Sequence, residues 1–389
     1  MSQAFSAAAP VAPPVPEAPS AEPTLGSIAS VGIDELCTMA VEAGASDLHI
    51  TTALPPTVRI DGTLHTLPFE RLTPMDTQRI MYDILTDRQV ERFEREHELD
   101  FSYGIRGLGR FRVNVYLQRG SVAAALRAIP TSVPPLEELH LPEVILDITS
   151  RHNGLVLVTG QTGSGKSTTL ACMIDHINRT RSCHILTVED PIEYLHSHAL
   201  SMVNQREIGE DSLSFSGALR SALREDPDVV LVGEMRDLET VEAALSVAET
   251  GHLVFGTLHT RSAPQTIDRI IDVFPPHQQE QVRVMLSNCI EAVITQQLIP
   301  KASGGGRVPA VEIMIATSAI RNLIREAKTH QMPTVIETGM HYGMQTMDAS
   351  LADLVRRGII SHEEAAARAL DPENFQRLLM AHYENPRRY

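Results

Sequence analysis

The run Gly160-Gln161-Thr162-Gly163-Ser164-Gly165-Lys166-Ser167 restricts this chain more than any other stretch. It has the spacing G-x-x-x-x-G-K-[ST], and its surroundings match what that motif needs. Residues 155–158 (LVLV) before it form a short apolar run of the kind found in buried strands, and residues 167–177 after it follow a helical pattern. A glycine-rich turn between strand and helix lets backbone N–H groups curl around a phosphate at the helix N-terminus. Lys166 then adds a point charge to the β- and γ-phosphates, and the Ser167 hydroxyl ligates Mg²⁺. Residues Gly160, Gln161, Thr162, Gly163, Ser164, Gly165, Lys166, Ser167 and Thr168 are thus expected to bind ATP with magnesium.

Three further apolar runs, 185–188 (ILTV), 229–232 (VVLV) and 253–256 (LVFG), alternate with helical patterns. Buried parallel strands read this way, so this half is expected to be a doubly wound α/β domain. After Pro264 the pattern reads as mostly helical to the end. Ligands in such sheets sit beyond the strand C-termini, where acids and histidines carry meaning. Glu234 follows 229–232 directly, while Gly233 stands where a magnesium-holding acid is usual. Glu234 is therefore the acid best placed to polarise an attacking water. Glu189 and Glu193, past 185–188, are candidates for orienting water or metal, and Asp190 reads equally well as part of a surface turn. His259 closes the last run, where it can sense a γ-phosphate; His252, at the opposite end, is too far along the strand to share a metal with it.

The rest of the chain bounds the reading. Residues 1–26 are Ala/Pro-rich and read as a disordered tail. Residues 27–129 mix a short amphipathic helix at 33–40 with alternating strands, a small α+β domain; 130–148, opening on a proline-rich stretch, is the interdomain linker, and 149–389 is the nucleotide-binding domain. Asp and Glu outnumber Lys and Arg by 49 to 33, which disfavours a nucleic-acid partner. Cys37, Cys172, Cys183 and Cys289 form no CxxC pair, so a zinc knuckle or disulfide framework is not expected. No apolar run approaches the 18 or so residues of a membrane span, and the N-terminus carries no secretory pattern.

Taken together, the phosphate loop, TVEDPIE (187–193), RSALREDPDVVLVGEMRD (220–237) and GHLVFGTLHT (251–260) resemble the secretion and type IV pilus ATPases. AIRNLIRE (319–326), with THQMPTVIETG (329–339) and YGMQTMDASLADLVRRGIIS (342–361), is similar to the retraction (twitching motility) branch. The resemblance covers about residues 31–370. Assembly ATPases of the superfamily carry a cysteine-pair zinc module that this chain lacks. The resemblance implies a PAS-like N-terminal domain, a RecA-like P-loop ATPase domain with a helical C-terminal part, and a homohexameric motor that retracts pili by nucleotide-driven domain rotation. It also implies a cytoplasmic protein, peripheral at the inner face of the membrane, acting on an inner-membrane platform protein, with a second retraction ATPase as a further partner. Arg112, Arg127, Arg220 and Arg224 match the positions of its arginine sensors.

In residues 319–326, Ala319, Ile320, Leu323 and Ile324 make an apolar stripe, leaving Arg321, Asn322, Arg325 and Glu326 on the remaining surface. By the resemblance, these four polar residues couple nucleotide state to ring geometry or platform. A type II secretion or pilus-assembly engine, a nucleotide-gated scaffold with little turnover, and a RecA-type helicase are the competing functions.

Overall fold

The structure is a computed structural model that describes residues 26–130 and 132–380; the expected tail of residues 1–26 lies almost wholly outside them. The chain divides into two compact units, one of residues up to Asp100 with Val113–Arg127, the other of Phe101–Arg112 with residues from Ala128 on.

The first unit begins with α1 (Ile33–Glu42), β1 (Asp47–Ile50), β2 (Thr57–Ile60) and β3 (Thr63–Thr66). Helices α2 (Pro74–Tyr82) and α3 (Asp87–Glu96) follow, each opened by a threonine in a capping box: Thr73 with Asp76, Thr86 with Gln89. The sheet that starts here also takes in β4 (Glu98–Ile105), β5 (Gly109–Gln118) and β6 (Ser121–Ile129), in the order β3-β2-β1-β6-β5-β4, with the Phe101–Arg112 part of β4 and β5 counted in the second unit. β1 runs antiparallel to both neighbours, with Leu48 facing Val58 and Leu126 in register. These side chains are buried with Leu36 and Cys37 of α1, so the alternating pattern in the sequence corresponds to a sheet with one face packed.

The second unit is built on a seven-stranded sheet ordered β13-β12-β7-β11-β10-β8-β9. Its strands are β7 (Gly154–Thr159), β8 (His184–Glu189), β9 (Met202–Glu207), β10 (Val229–Val232), β11 (Leu253–Leu258), β12 (Ile290–Pro300) and β13 (Arg307–Ile315). Every neighbouring pair is parallel except β12 with β13. The helices are α4 (Val144–Thr149), α5 (Lys166–Thr180), α6 (Phe215–Ala222), α7 (Leu238–Glu249), α8 (Ala263–Asp272), α9 (Gln279–Cys289) and α10 (Ser318–Arg325). They are followed by α11 (Met332–Thr338), α12 (Met347–Arg356), α13 (His362–Ala366) and α14 (Pro372–Met380).

Two cores explain the unbroken apolar runs. Leu155, Leu157, Val230, Val232 and Val254 join α7, α8, α9 and α10 on one face, while Val156, Val158, Val229, Leu231 and Phe255 join α4 and α5 on the other. A strand covered on both faces gains nothing from polar alternation. Deleting one such side chain, Phe255→Ala for instance, costs about 3–5 kcal/mol.

One expectation is completed here and one corrected. The stretch after Pro264 is mostly helical, but β12 and β13 also lie in it and extend the sheet beyond β7. And the proline-rich link does not continue free to residue 148, because Leu136, Ile145 and Ile148 are buried in the second unit's core.

Candidate active site

β7 delivers the chain to the phosphate loop, and α5 carries it away. Gly160 (φ 144°) and Gly165 (φ 88°) have backbones that favour glycine, and both lie against β12. A Cβ on Gly160 would stand 2.4 Å from the Gln296 carbonyl oxygen, and one on Gly165 would stand 2.7 Å from Gln296 Nε2. Gly165 is also the cap residue of α5 and offers no side-chain acceptor, so the first-turn N–H groups are left for an anion.

Lys166 is only 9% exposed and bends back over the loop. Its Nζ donates to the carbonyls of Gly160 (2.8 Å) and Gln161 (3.1 Å). Burial lowers its pKa, and the negative charge of Glu234 works against that shift. Ser167 is exposed at the helix start, and Thr168 meets the Tyr194 hydroxyl at 3.0 Å.

Beneath the loop, Gln296 is 2% exposed and bonded through both its amide nitrogen and its oxygen. Its Nε2 donates to the Ser164 carbonyl (2.8 Å), and its Oε1 accepts from Thr169 Oγ1 (2.8 Å). Next to it the hydroxyls of Thr295 and Thr159 meet at 2.9 Å. The loop therefore rests on a polar floor supplied by β12. Sequence reasoning missed these residues, although the pair Gln296-Gln297 interrupting an apolar run was a signal: a buried amide needs partners.

Glu234 stands just past β10, half-buried. Its Oε1 accepts from Arg236 Nε and lies 3.0 Å from His259 Nε2, at the end of the neighbouring β11. Among the described residues no donor reaches its Oε2, leaving that oxygen for water. The two residues expected to act at strand ends are thus brought together, with Arg236 as a partner the sequence did not suggest. The glycine in the usual acid position has a packing cause: a Cβ on Gly233 would lie 3.2 Å from both the Val188 carbonyl and Glu189 Cα on β8.

Glu189 is buried at the end of β8, taking hydrogen bonds from Thr187 Oγ1 (2.7 Å), the Glu193 N–H (3.3 Å) and Gln205 Nε2 (3.4 Å). Burial raises its pKa, opposed by those donors. Glu193 is exposed. Of the arginines, Arg127 is ion-paired to Asp47 (2.8 Å), which lies opposite it in register between β1 and β6. Arg112 lies exposed on β5. Arg220 and Arg224 are exposed at α6, the first touching Ser216 Oγ (3.4 Å), the second the Arg220 carbonyl (3.2 Å).

The helix α10 divides the four polar residues assigned to coupling. Arg321 turns inward: Nε donates to the Ala316 carbonyl (3.0 Å), Nη1 to those of Ser287 (2.8 Å) and Asn288 (2.9 Å), and Nη2 to Glu291. It is a clamp between α10 and the end of α9, not a surface group. Asn322, Arg325 and Glu326 are exposed, and so is Ala319, which lies at the margin of the apolar stripe rather than in it.

Comparison with known proteins finds relatives over most of the chain. The family described as Type II/IV secretion system protein matches residues 24–367. The chain is 54% identical over 343 residues to the type IV pilus retractation ATPase PilT of Pseudomonas aeruginosa, covering 88% of this chain and 99% of that protein. It is 50% identical over 319 residues to a twitching motility protein of Neisseria gonorrhoeae, covering 82% and 85%. A crystal structure of the pilus retraction motor PilT with bound ADP superposes with a TM-score of 0.84 at 54% identity, over 90% of this chain and 100% of that one.

Proposed function

The chain belongs to the Type II/IV secretion system protein family and is a nucleotide-binding ATPase of the pilus-retraction kind, and from that premise we propose how its own residues turn ATP hydrolysis into pilus disassembly. The observation that carries the proposal is the pairing of a lysine held only by displaceable carbonyls with a carboxylate that keeps one oxygen free. The β- and γ-phosphates take Lys166 from Gly160 and Gln161 and accept the N–H groups at the start of α5. Glu234, anchored through Oε1, orients the attacking water with Oε2 and receives its proton. His259, on the same carboxylate, registers whether a γ-phosphate is there. Glu189 and Glu193 act behind it, shaping the loop rather than touching water.

Magnesium fits this site as a companion of the nucleotide. Its donors are oxygens, the Ser167 hydroxyl directly and Glu234 through water, which suits a hard cation. No group of three or more His, Cys, Asp or Glu that could hold a metal occurs among the described residues, so a bound ion would draw on phosphate oxygens beside these two residues. When bound, the ion neutralises charge on the departing phosphoryl group.

The finer fold reading, PAS-like for 27–129 and RecA-like for 149–389, is supported by the six-stranded antiparallel-type sheet and the mainly parallel sheet respectively. The proposed assembly is a homohexamer in which Arg112, Arg127, Arg220 and Arg224 act as sensors, Arg127 exchanging Asp47 for phosphate. No helix of the described residues is long and apolar enough to cross a membrane. Force therefore passes to an inner-membrane platform protein by contact, from the cytoplasmic side, with a second retraction ATPase as co-worker.

The test is ATP turnover and pilus retraction in cells lacking their own retraction ATPase. Lys166→Ala and Glu234→Gln should both abolish retraction, the first by losing nucleotide and the second by holding ATP without cleaving it. Retraction sustained by either variant would overturn the proposal.

A further inference from the structure

Arg261 lies two residues past His259, exposed on the loop between β11 and α8. The loop is anchored on both sides of it. The Arg261 N–H donates to Gln265 Oε1 (3.2 Å), and the Gln265 N–H donates back to the Ser262 hydroxyl (3.4 Å) that caps α8. From this base the guanidinium reaches the phosphate loop. With the Gln161 amide turned so that its oxygen faces the arginine, that oxygen accepts from Nη2 at 2.7 Å and Nε at 3.0 Å. The opposite orientation would set donors against donors, so this is the one the chemistry selects.

The partner is neutral, and it belongs to the phosphate loop, which distinguishes Arg261 from the other arginines without a carboxylate, such as Arg220 and Arg224. Arg110, Arg127, Arg206 and Arg236 each pair with a carboxylate, of Glu207, Asp47, Glu225 and Glu234 respectively. Among the described residues Arg261 has no carboxylate within ion-pair distance, so its charge is not cancelled. It occupies two of its five N–H groups on Gln161 and keeps the rest. The same Gln161 supplies a carbonyl to Lys166, so two cations converge on one residue of the loop. His259, two positions earlier, stands against Glu234, which puts this loop on the side from which water attacks.

We propose that Arg261 binds the γ-phosphate of ATP within its own subunit, so that each subunit carries its own discriminator of ATP from ADP in addition to the sensor arginines. Gln161 positions it by fixing two donors and aiming the others. The proposal rests on residues 160–168 being the phosphate loop. The β-phosphate is already served by Lys166 and the start of α5, so the added contact is specific to the third phosphate.

The experiment measures binding of Mg²⁺ with ADP, and with a β,γ-imido analogue of ATP, to the full chain and to Arg261→Ala, Arg261→Lys and Lys166→Ala, alongside steady-state turnover. Arg261→Ala should weaken the analogue about tenfold and leave ADP within about twofold, the loss expected for one charge-assisted contact. Arg261→Lys should recover only part, since an ammonium restores the charge and not the fork. Both nucleotides weakening alike, or neither weakening, would overturn the γ-phosphate contact. Lys166→Ala should weaken both. If it left both at the wild-type affinity, the phosphate-loop reading would fall, a result separable from failure of Arg261 alone.

Discussion

Two cations of the second unit rest on main-chain carbonyls. Lys166 holds those of Gly160 and Gln161 at the open start of α5, and Arg321 holds those of Ala316, Ser287 and Asn288, plus Glu291, where α9 gives way to β12. The lysine's partners are loop carbonyls bordering a place where phosphate can enter. The arginine's partners are helix-end and strand-end groups with no substitute donor nearby. A carbonyl-held cation is poised for a ligand in the first case and is a rivet in the second. What separates them is whether anything can take the cation's place, and motif membership alone does not reveal it.

The largest effect expected is on Lys166. Lys166→Ala should lower turnover by about 10³-fold or more, while the melting temperature hardly moves, because removing a buried ammonium also removes its desolvation cost. A thermal melt in which this variant falls as far as an Arg321 variant would break the comparison.

Arg321→Ala comes next, and it should act on the fold. Three carbonyls and one carboxylate lose their donor, a loss of about 2–3 kcal/mol, with turnover per folded molecule retained. Chemical denaturation followed alongside ATP hydrolysis decides it. Normal stability with lost retraction would return Arg321 to the coupling surface.

A buried anion sharpens the contrast. Glu312 on β13 is 5% exposed and accepts from the Ala263 N–H at 2.7 Å, holding the start of α8. Burial pushes its pKa up to about 6 from the ordinary 4.5, with Asp348 adding repulsion against its backbone donors. The folded state then binds the proton more tightly than the unfolded one. Stability is greatest below the unfolded value, falls as pH rises through the window between the two, and stays lowered above it. The change is on the order of 1–2 kcal/mol. Melting temperatures taken across that window should show the slope in the parent chain and lose it in Glu312→Gln; an unchanged slope would assign the titration elsewhere.

The smallest effect on the folded chain is expected from Asn322→Ala with Glu326→Ala. These exposed side chains bond mainly each other (2.9 Å) and Lys328 (2.8 Å), so melting temperature and turnover should not change. Retraction in cells should still fail if the outer face of α10 passes nucleotide state onward. Full retraction would end the coupling proposal.

How much of this was legible beforehand depended on range. The phosphate loop was legible because its chemistry is local: fixed spacing, an apolar run before it, a helical pattern after it. Glu234 and His259 were legible as strand-end residues of that sheet. The floor under the loop was not. α9 passes into β12 at Cys289–Ile290 with no glycine or proline between them, so nothing in the sequence marks the change from helix to strand. Gln296 acquires its role only when β12 lies beside β7, with Thr295 opposite Thr159, more than a hundred residues away in sequence. The partners of Arg127 and Arg321 were hidden for the same reason. These, Asp47 and the end of α9, come from distant sequence, and an arginine looks free until its carboxylate or carbonyls are found.

Gly233 has a consequence for pattern matching. With β8 and β10 packed as they are, any side chain there meets the Val188 carbonyl and Glu189 Cα at 3.2 Å, so β8 must give by a few tenths of an ångström before an acid can fit. An aspartate at 233 is therefore admitted only together with a shift of β8, and Glu234 is left as the first acid after β10. A pattern that demands an acid at that position passes over this chain, whose first acid after β10 stands one residue further along.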